Sequence, residues 1–342
     1  MIRTMTATLL TCLALPAFAT PPPDNPPAMR AEAQPSPALG MEGFAYPFLV
    51  RGFAFETQRQ GLQMAYMDVA PTGKPNGRTV VLLHGKNFCA ATWEAQMRSL
   101  LAAGYRVVAP DQIGFCKSSK PASYQYSLAQ LAANTHALTQ KLGLQRITLI
   151  GHSMGGMLAM RYALMYPQQL EKLVLVNPIG LEDWLAEGVP YLGIDAYYEK
   201  ELKTSAESIK QYQLKTYYDG KWKPEYDRWV RMLADQYDGV DGKLTAWNQA
   251  LTTDMLLTQP VIREIDRIRV PTLLMIGQRD NTAIGKDAAP ASVAKRLGQY
   301  PKLGREAAQR IAGSELVSFD DLGHSPQVQD AARFDAELLK RL

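Results

Sequence analysis

The chain has 342 residues, 46% of them hydrophobic and 20% charged, a globular balance that excludes a mostly disordered protein. Lys and Arg total 37 against 33 Asp and Glu, an excess too small and scattered for a nucleic-acid groove. Beyond the N-terminus no apolar run approaches the ~20 residues of a membrane span.

Residues 1–19 read as a signal peptide. Arg3 supplies the positive start, a short apolar stretch follows, and Ala17-Phe18-Ala19 fits a small-x-small cleavage site. Export, to the periplasm or beyond, is the expectation. Residues 20–43 hold seven prolines between Pro21 and Pro37. Their fixed φ and missing N–H groups suit an extended leader, not a core. Cleavage leaves Cys89 and Cys116, an even pair that in an exported protein raises a disulfide.

Phe48–Thr57 and Leu62–Ala70 are strand-like and flank a hairpin turn over 58–61. Thr79–Leu83 is a short continuous apolar run, the pattern of a strand buried on both faces. Tyr105–Ala109, Arg146–Ile150, Lys172–Val176 and Thr272–Ile276 repeat it, and Leu316–Phe319 repeats it more weakly. Helical periodicity covers Ala91–Ala103, Ser127–Leu142, Met154–Tyr166 and Gln327–Leu342. This alternation predicts an α/β fold with a mostly parallel, doubly wound sheet, built from 44–180 and 261–342. Residues 181–260 interrupt it. They contain no convincing buried strand and carry 12 of the 21 Tyr and Trp residues. The segment is too long for a loop and reads as a helical cap. Most of its rings would fill a small core of its own, with a few turned to a pocket.

The chemistry concentrates at strand ends. Gly151-His152-Ser153-Met154-Gly155-Gly156 follows the strand ending at Ile150 and opens a helix at Met154. A serine on such a sharp strand-to-helix turn is lifted above the sheet edge. The helix N-terminus then aims N–H groups at charge developing on a substrate. A nucleophilic serine needs a base, and the base an orienting carboxylate. Of four histidines, His324 lies in the loop between the last strand and the last helix and can reach across the strand ends. His84 ends a strand, His136 is mid-helix and His152 sits inside the serine turn. For the acid, Asp280 ends the strand and turn 273–280, with Glu182 and Asp183 as rivals after the preceding strand. No metal, phosphate-cradling or organic-cofactor motif is present. The expected partner is a small-molecule substrate, and the oligomeric state is not readable.

These motifs together resemble a serine-type member of the α/β-hydrolase superfamily, from about residue 45 to the C-terminus. The segments LLHGKNF, PDQIGFCKSS, GHSMGG, GQRD and DLGH occur in family order. The resemblance implies a Ser153–Asp280–His324 triad, and an oxyanion hole from the backbone N–H groups of Lys86 and Met154. It also implies acyl transfer on a small to medium, partly apolar carboxylic ester. Carbon–carbon bond hydrolysis of ring-cleavage products, or perhydrolysis, would use the same residues. A ligand-binding protein without turnover would not need a complete triad. Two departures stand out: Cys116 where glycine is usual, and Lys86-Asn87 where a second glycine or a proline is usual. In this fold the strands before Cys89 and Cys116 are parallel neighbours, so a Cys89–Cys116 disulfide is expected. The Lys86 side chain is expected in solvent, or facing an anionic group of the substrate.

Overall fold

The computed structural model describes residue 41 and residues 43–342. The expected signal peptide and almost all of the leader lie outside the described residues.

Eight strands form one sheet: β1 Val50–Thr57, β2 Gln60–Val69, β3 Thr79–Leu83, β4 Arg106–Pro110, β5 Ile147–His152, β6 Leu170–Val176, β7 Thr272–Gly277 and β8 Glu315–Phe319. Their order is β1-β2-β4-β3-β5-β6-β7-β8. β2 runs antiparallel to both β1 and β4, and every later pairing is parallel. The β1–β2 turn is tighter than the expected four residues. Gln58 and Arg59 both take positive φ, 49° and 62°, and make a two-residue turn whose twist matches that of the strands.

The parallel strands are buried on both faces, as their continuous apolar runs require. Along β3 the side chains alternate. Val81 and Leu83 pack with Leu131, Leu149 and Met157 under the helices Leu128–Lys141 and Met154–Met165. Val80 and Leu82 pack with Met97, Leu100, Phe334 and Leu338 under Glu94–Ala102 and Ala331–Leu339. Each such buried side chain stabilises the fold by roughly 1.5–3 kcal/mol. Truncating one, as in Leu82→Ala, would leave a cavity between two layers that cannot both relax.

Two helical details differ from the sequence reading. The C-terminal helix is broken at Asp330, whose carboxylate caps the second piece by accepting the Arg333 N–H at 3.1 Å. A further helix, Tyr300–Arg310, was not visible in the pattern. It buries Tyr300, Gly304 and Ala307, and Gly304 lies so close to Ile276 of β7 that an added Cβ would stand 3.1 Å from it. Small residues on the buried face hide the apolar periodicity that marks a helix.

Between β6 and β7 the chain forms helices Ile194–Glu201, Ala206–Tyr212, Asp227–Asp238 and Gly242–Thr258, with a π-helical turn Gln213–Tyr217. No strand occurs there. This insertion is the segment expected as a cap, and its π-helical turn lies against the loops that follow β3 and β8. No helix among the described residues is long and apolar enough to cross a membrane.

Candidate active site

Ser153 stands between β5 and the helix Met154–Met165 with φ 55° and ψ −119°. A non-glycine residue there is strained, and the surroundings must hold it. They do so through close backbone approach. A Cβ on Gly151 would lie 2.1 Å from the Gly155 carbonyl oxygen, and one on Gly155 would lie 2.3 Å from the Leu83 oxygen. Both glycines of the motif are therefore required by packing. Gly85 passes beside the serine, since a Cβ there would be 3.0 Å from Ser153 Cβ. The turn expected to supply an oxyanion donor thus adjoins the expected nucleophile.

His324 is fully buried. Its Nδ1 hydrogen-bonds Asp280 Oδ2 at 2.7 Å, while its Nε2 has no hydrogen-bond partner. Asp280 also accepts the Asn177 side-chain N–H on Oδ2 at 2.9 Å and the Thr282 backbone N–H on Oδ1 at 2.8 Å. Three donors on one buried carboxylate hold it in a single orientation. The rival acids are engaged elsewhere. Glu182 accepts from Trp184 and the Gly298 N–H, and Asp183 pairs with Arg263.

Asn177 is a positioning residue that sequence reasoning missed. It follows β6 directly, with φ 37°, and its amide also bonds both the N–H and the carbonyl of Gly277 at 2.8 and 3.2 Å. It therefore clamps the end of β7 and the acid together. A polar residue at the carboxyl end of a buried strand was the available signal.

The remaining histidines are structural. His152 Nε2 donates to the His324 carbonyl at 2.8 Å, fixing the loop that carries the expected base. Burial, then the neighbouring His324, pushes its pKa well below the ordinary 6.5, so it stays neutral. His84 donates from Nδ1 to the Gly85 carbonyl and accepts the Gln112 N–H at Nε2, and burial lowers its pKa as well. His136 stacks on Tyr166 at 3.9 Å and bonds Gln169, on a helix face as expected.

The turn 85–89 corrects the reading of Lys86. Its ammonium neither stands free in solvent nor awaits a substrate anion. It pairs with Glu201 of the cap at 2.8 Å, with the two side chains only 12% and 17% exposed. Cys89 and Cys116 have Cα atoms 5.8 Å apart and sulfurs joined at 2.03 Å. Parallel pairing of β3 with β4 brings their loops to the same edge. Cys116 takes φ 53°, the left-handed region that explains why glycine is usual there. Asp111 lies near both sulfurs, but its oxygens already accept from Tyr46, Ala90 and Lys117, so the three do not form a donor set for a metal.

Above the site lies Tyr217 of the π-helical turn. Its ring centroid is 4.6 Å from that of His324, and its carbonyl accepts the His324 N–H at 3.0 Å. Its hydroxyl accepts from Asn87 Nδ2 at 2.9 Å, and burial raises its pKa. π-Turns of this kind occur frequently at functional sites.

A strained serine at a strand-to-helix turn and a buried histidine held by a carboxylate, at the carboxyl edge of one mostly parallel sheet with a helical insertion, are the arrangement of the α/β-hydrolase fold. The sequence profile for the alpha/beta hydrolase fold matches residues 78–331, and the chain belongs to that family. A probable hydrolytic enzyme from Pseudomonas aeruginosa PAO1, of known crystal structure, is 60% identical, with a TM-score of 0.87 over 89% of this chain and 98% of that one. An esterase from Exiguobacterium antarcticum is 26% identical, with a TM-score of 0.63 over 82% of this chain and 95% of that one. A 2-hydroxy-6-oxo-6-phenylhexa-2,4-dienoate hydrolase from Burkholderia cepacia is 34% identical over 138 residues, 40% of this chain and 48% of its own length. The chain thus spans about half the length of the curated relatives it matches first.

Proposed function

We propose that the protein is an exported serine hydrolase that cleaves a small to medium, partly apolar carboxylic ester through an acyl-enzyme. The observation that carries this reading is the His324 ring, bonded to Asp280 through Nδ1 at 2.7 Å and unpartnered at Nε2. Ser153 attacks the carbonyl carbon, and His324 takes its proton at Nε2 while Asp280 holds the ring and stabilises the imidazolium. The backbone N–H groups of Lys86 and Met154 receive the oxyanion. His324 returns the proton to the leaving alcohol, then activates the water that releases the acid. The aromatic underside of the cap supports a partly apolar acyl or alkyl group. In the oxidising compartment that export implies, Cys89 and Cys116 persist as a disulfide.

A second reading is favoured by the partial similarity to the Burkholderia hydrolase: cleavage of a carbon–carbon bond next to a carbonyl, on the same three residues. A fluorophosphonate probe and a series of p-nitrophenyl esters of graded acyl length test the first reading. Wild type should be labelled and should turn over the shorter esters, and Ser153→Ala should do neither. Labelling without ester turnover, together with decay of a vinylogous diketone, would move the assignment to the second. Comparison of cytoplasmic and osmotic-shock fractions from expressing cells checks export. Full-length, uncleaved chain confined to the cytoplasm would refute it.

A further inference from the structure

Each of the four side chains in the turn 86–89 touches the cap. Lys86 pairs with Glu201 Oε1, and Glu201 Oε2 accepts from Tyr237 at 2.6 Å. Asn87 donates to the Tyr217 hydroxyl, and Phe88 packs on the Tyr217 ring at 5.7 Å between centroids. Cys89 Sγ accepts from Gln236 Nε2 at 3.7 Å, and the Gln236 Oε1 accepts the Cys116 N–H at 2.9 Å. The turn is therefore clasped by three cap residues, Glu201, Tyr217 and Gln236, drawn from three separate elements. The site beneath is closely covered: His324 Nε2 is buried, and Ser153 is only 5% exposed. Lifting the cap would break these contacts.

We propose that closure of the cap sets the geometry of the oxyanion turn. Lys86–Glu201 and Asn87–Tyr217 are the two couplings, so the turn presents its N–H to the substrate only when the cap is shut. Glu201, Tyr217 and the side chains of Lys86 and Asn87 are thus positioning residues. The part played by the turn rests on the hydrolase reading above. The coupling itself rests only on contacts. Hydrogen-bond donors for a developing oxyanion act through their placement, and a shift of about 1 Å can cost about 100-fold in rate. An ion pair and a hydrogen bond on adjacent residues restrain the turn immediately after the peptide unit that carries the Lys86 N–H. Without them the turn keeps its place on β3 but loses its register against Ser153. Closure then selects for substrates that fit wholly beneath the cap, because only they allow the couplings to re-form before chemistry.

The test uses the full chain and compares wild type, Glu201→Gln, Lys86→Met, the double variant and Tyr217→Phe. Two quantities are read: hydrolysis of p-nitrophenyl butyrate, and amide hydrogen exchange by mass spectrometry. Glu201→Gln and Lys86→Met should each lower kcat about tenfold with KM within about twofold, and the double variant should be no slower than the worse single. Exchange over 86–89 should quicken in all three, while exchange in β5 stays at the wild-type rate. Tyr217→Phe keeps the ring on His324 and deletes the hydroxyl that accepts from Asn87 and bonds Tyr212, without altering any charge, so it guards against misfolding of the charge variants. It should lower kcat in the same way. Wild-type kcat in Glu201→Gln and Tyr217→Phe, with no faster exchange at 86–89, would overturn the proposal and leave the contacts as a cap tether. If wild type hydrolyses the ester no better than Ser153→Ala, the hydrolase reading fails instead, and the exchange data alone decide the coupling.

Discussion

The carboxyl edge of the sheet and the cap above it differ in how many bonds converge on their buried polar groups, although Thr282 Oγ1, His324 Nε2 and Ser325 Oγ at the edge also lack partners. At the sheet edge the key groups are interlocked: Asp280 accepts from three donors, Asn177 bonds two strands, and His84 uses both ring nitrogens. In the cap several buried polar atoms have no protein partner. Gln213 has neither amide atom bonded, and Tyr218 Oη, Thr245 Oγ1 and Gln249 Oε1 are similarly alone. Unmade hydrogen bonds in a dry interior cost roughly 1–3 kcal/mol each. The sheet edge therefore spends its polar groups on a fixed geometry. The apolar content does not follow this division: Tyr197, Tyr217, Tyr218, Tyr226, Trp229 and Met232 of the cap belong to the main core cluster, and only Ile209, Val230, Leu233 and Ala234 form a separate one.

The contrast can be tested most sharply at Ser153, the proposed nucleophile. Ser153→Ala and His324→Ala should each lower kcat by roughly 10⁴–10⁶ while the melting temperature changes little, and the double variant should be little worse than either. Additive losses, measured by ester turnover, would mean the two do not act as a unit. Asn177→Ala tests the interlocked edge. It deletes the bonds to Asp280 and both Gly277 groups and should cost about 3–4 kcal/mol in urea unfolding, with a fall in kcat as Asp280 loses a fixed donor. A loss of activity at unchanged stability would deny that the edge is a single network.

The proposed bridge between Cys89 and Cys116 would close a loop with a sequence separation of 27. By loop entropy it should contribute about 3 kcal/mol, visible as a lower urea midpoint on full reduction. Thiol counting on denatured, unreduced protein should find no free Cys89 or Cys116, and two free thiols would refute the bridge.

Acid should attack the sheet edge before the cap. His84 and His152 have folded pKa values lowered by burial, so below about pH 6.5 the unfolded chain binds protons that the folded one refuses. Their contribution is complete above pH 6.5 and is lost as pH falls toward the lowered folded values. The slope should approach ~1.4 kcal/mol per pH unit for each group. Urea midpoints from pH 8 to 5 measure it, and His152→Gln should flatten the curve. The smallest effect is expected in the cap. Gln213→Leu removes an unbonded buried amide and should raise stability by about 1 kcal/mol. A loss instead would show that the amide is already satisfied, by ordered water for example.

The sequence by itself determined the strands, the serine turn and the place of the cap, because these depend on local rules. Continuous apolar runs force burial on both faces, and glycines flanking Ser153 meet a backbone approach that no side chain permits. It also singled out His324 as the expected base and ranked Asp280 first among the candidate acids by turn context. The tertiary structure decided what depends on register between distant segments. Asp280, not Glu182 or Asp183, meets His324 because β6, β7 and β8 are aligned so that Asn177 and the turns after β7 and β8 converge. Lys86 finds Glu201 across 115 residues of sequence, a pairing no local pattern encodes. A lone lysine is expected to keep its ammonium in water. Only when the cap brings a carboxylate to it does a half-buried ion pair become the lower free-energy state, and only the folded chain supplies that carboxylate.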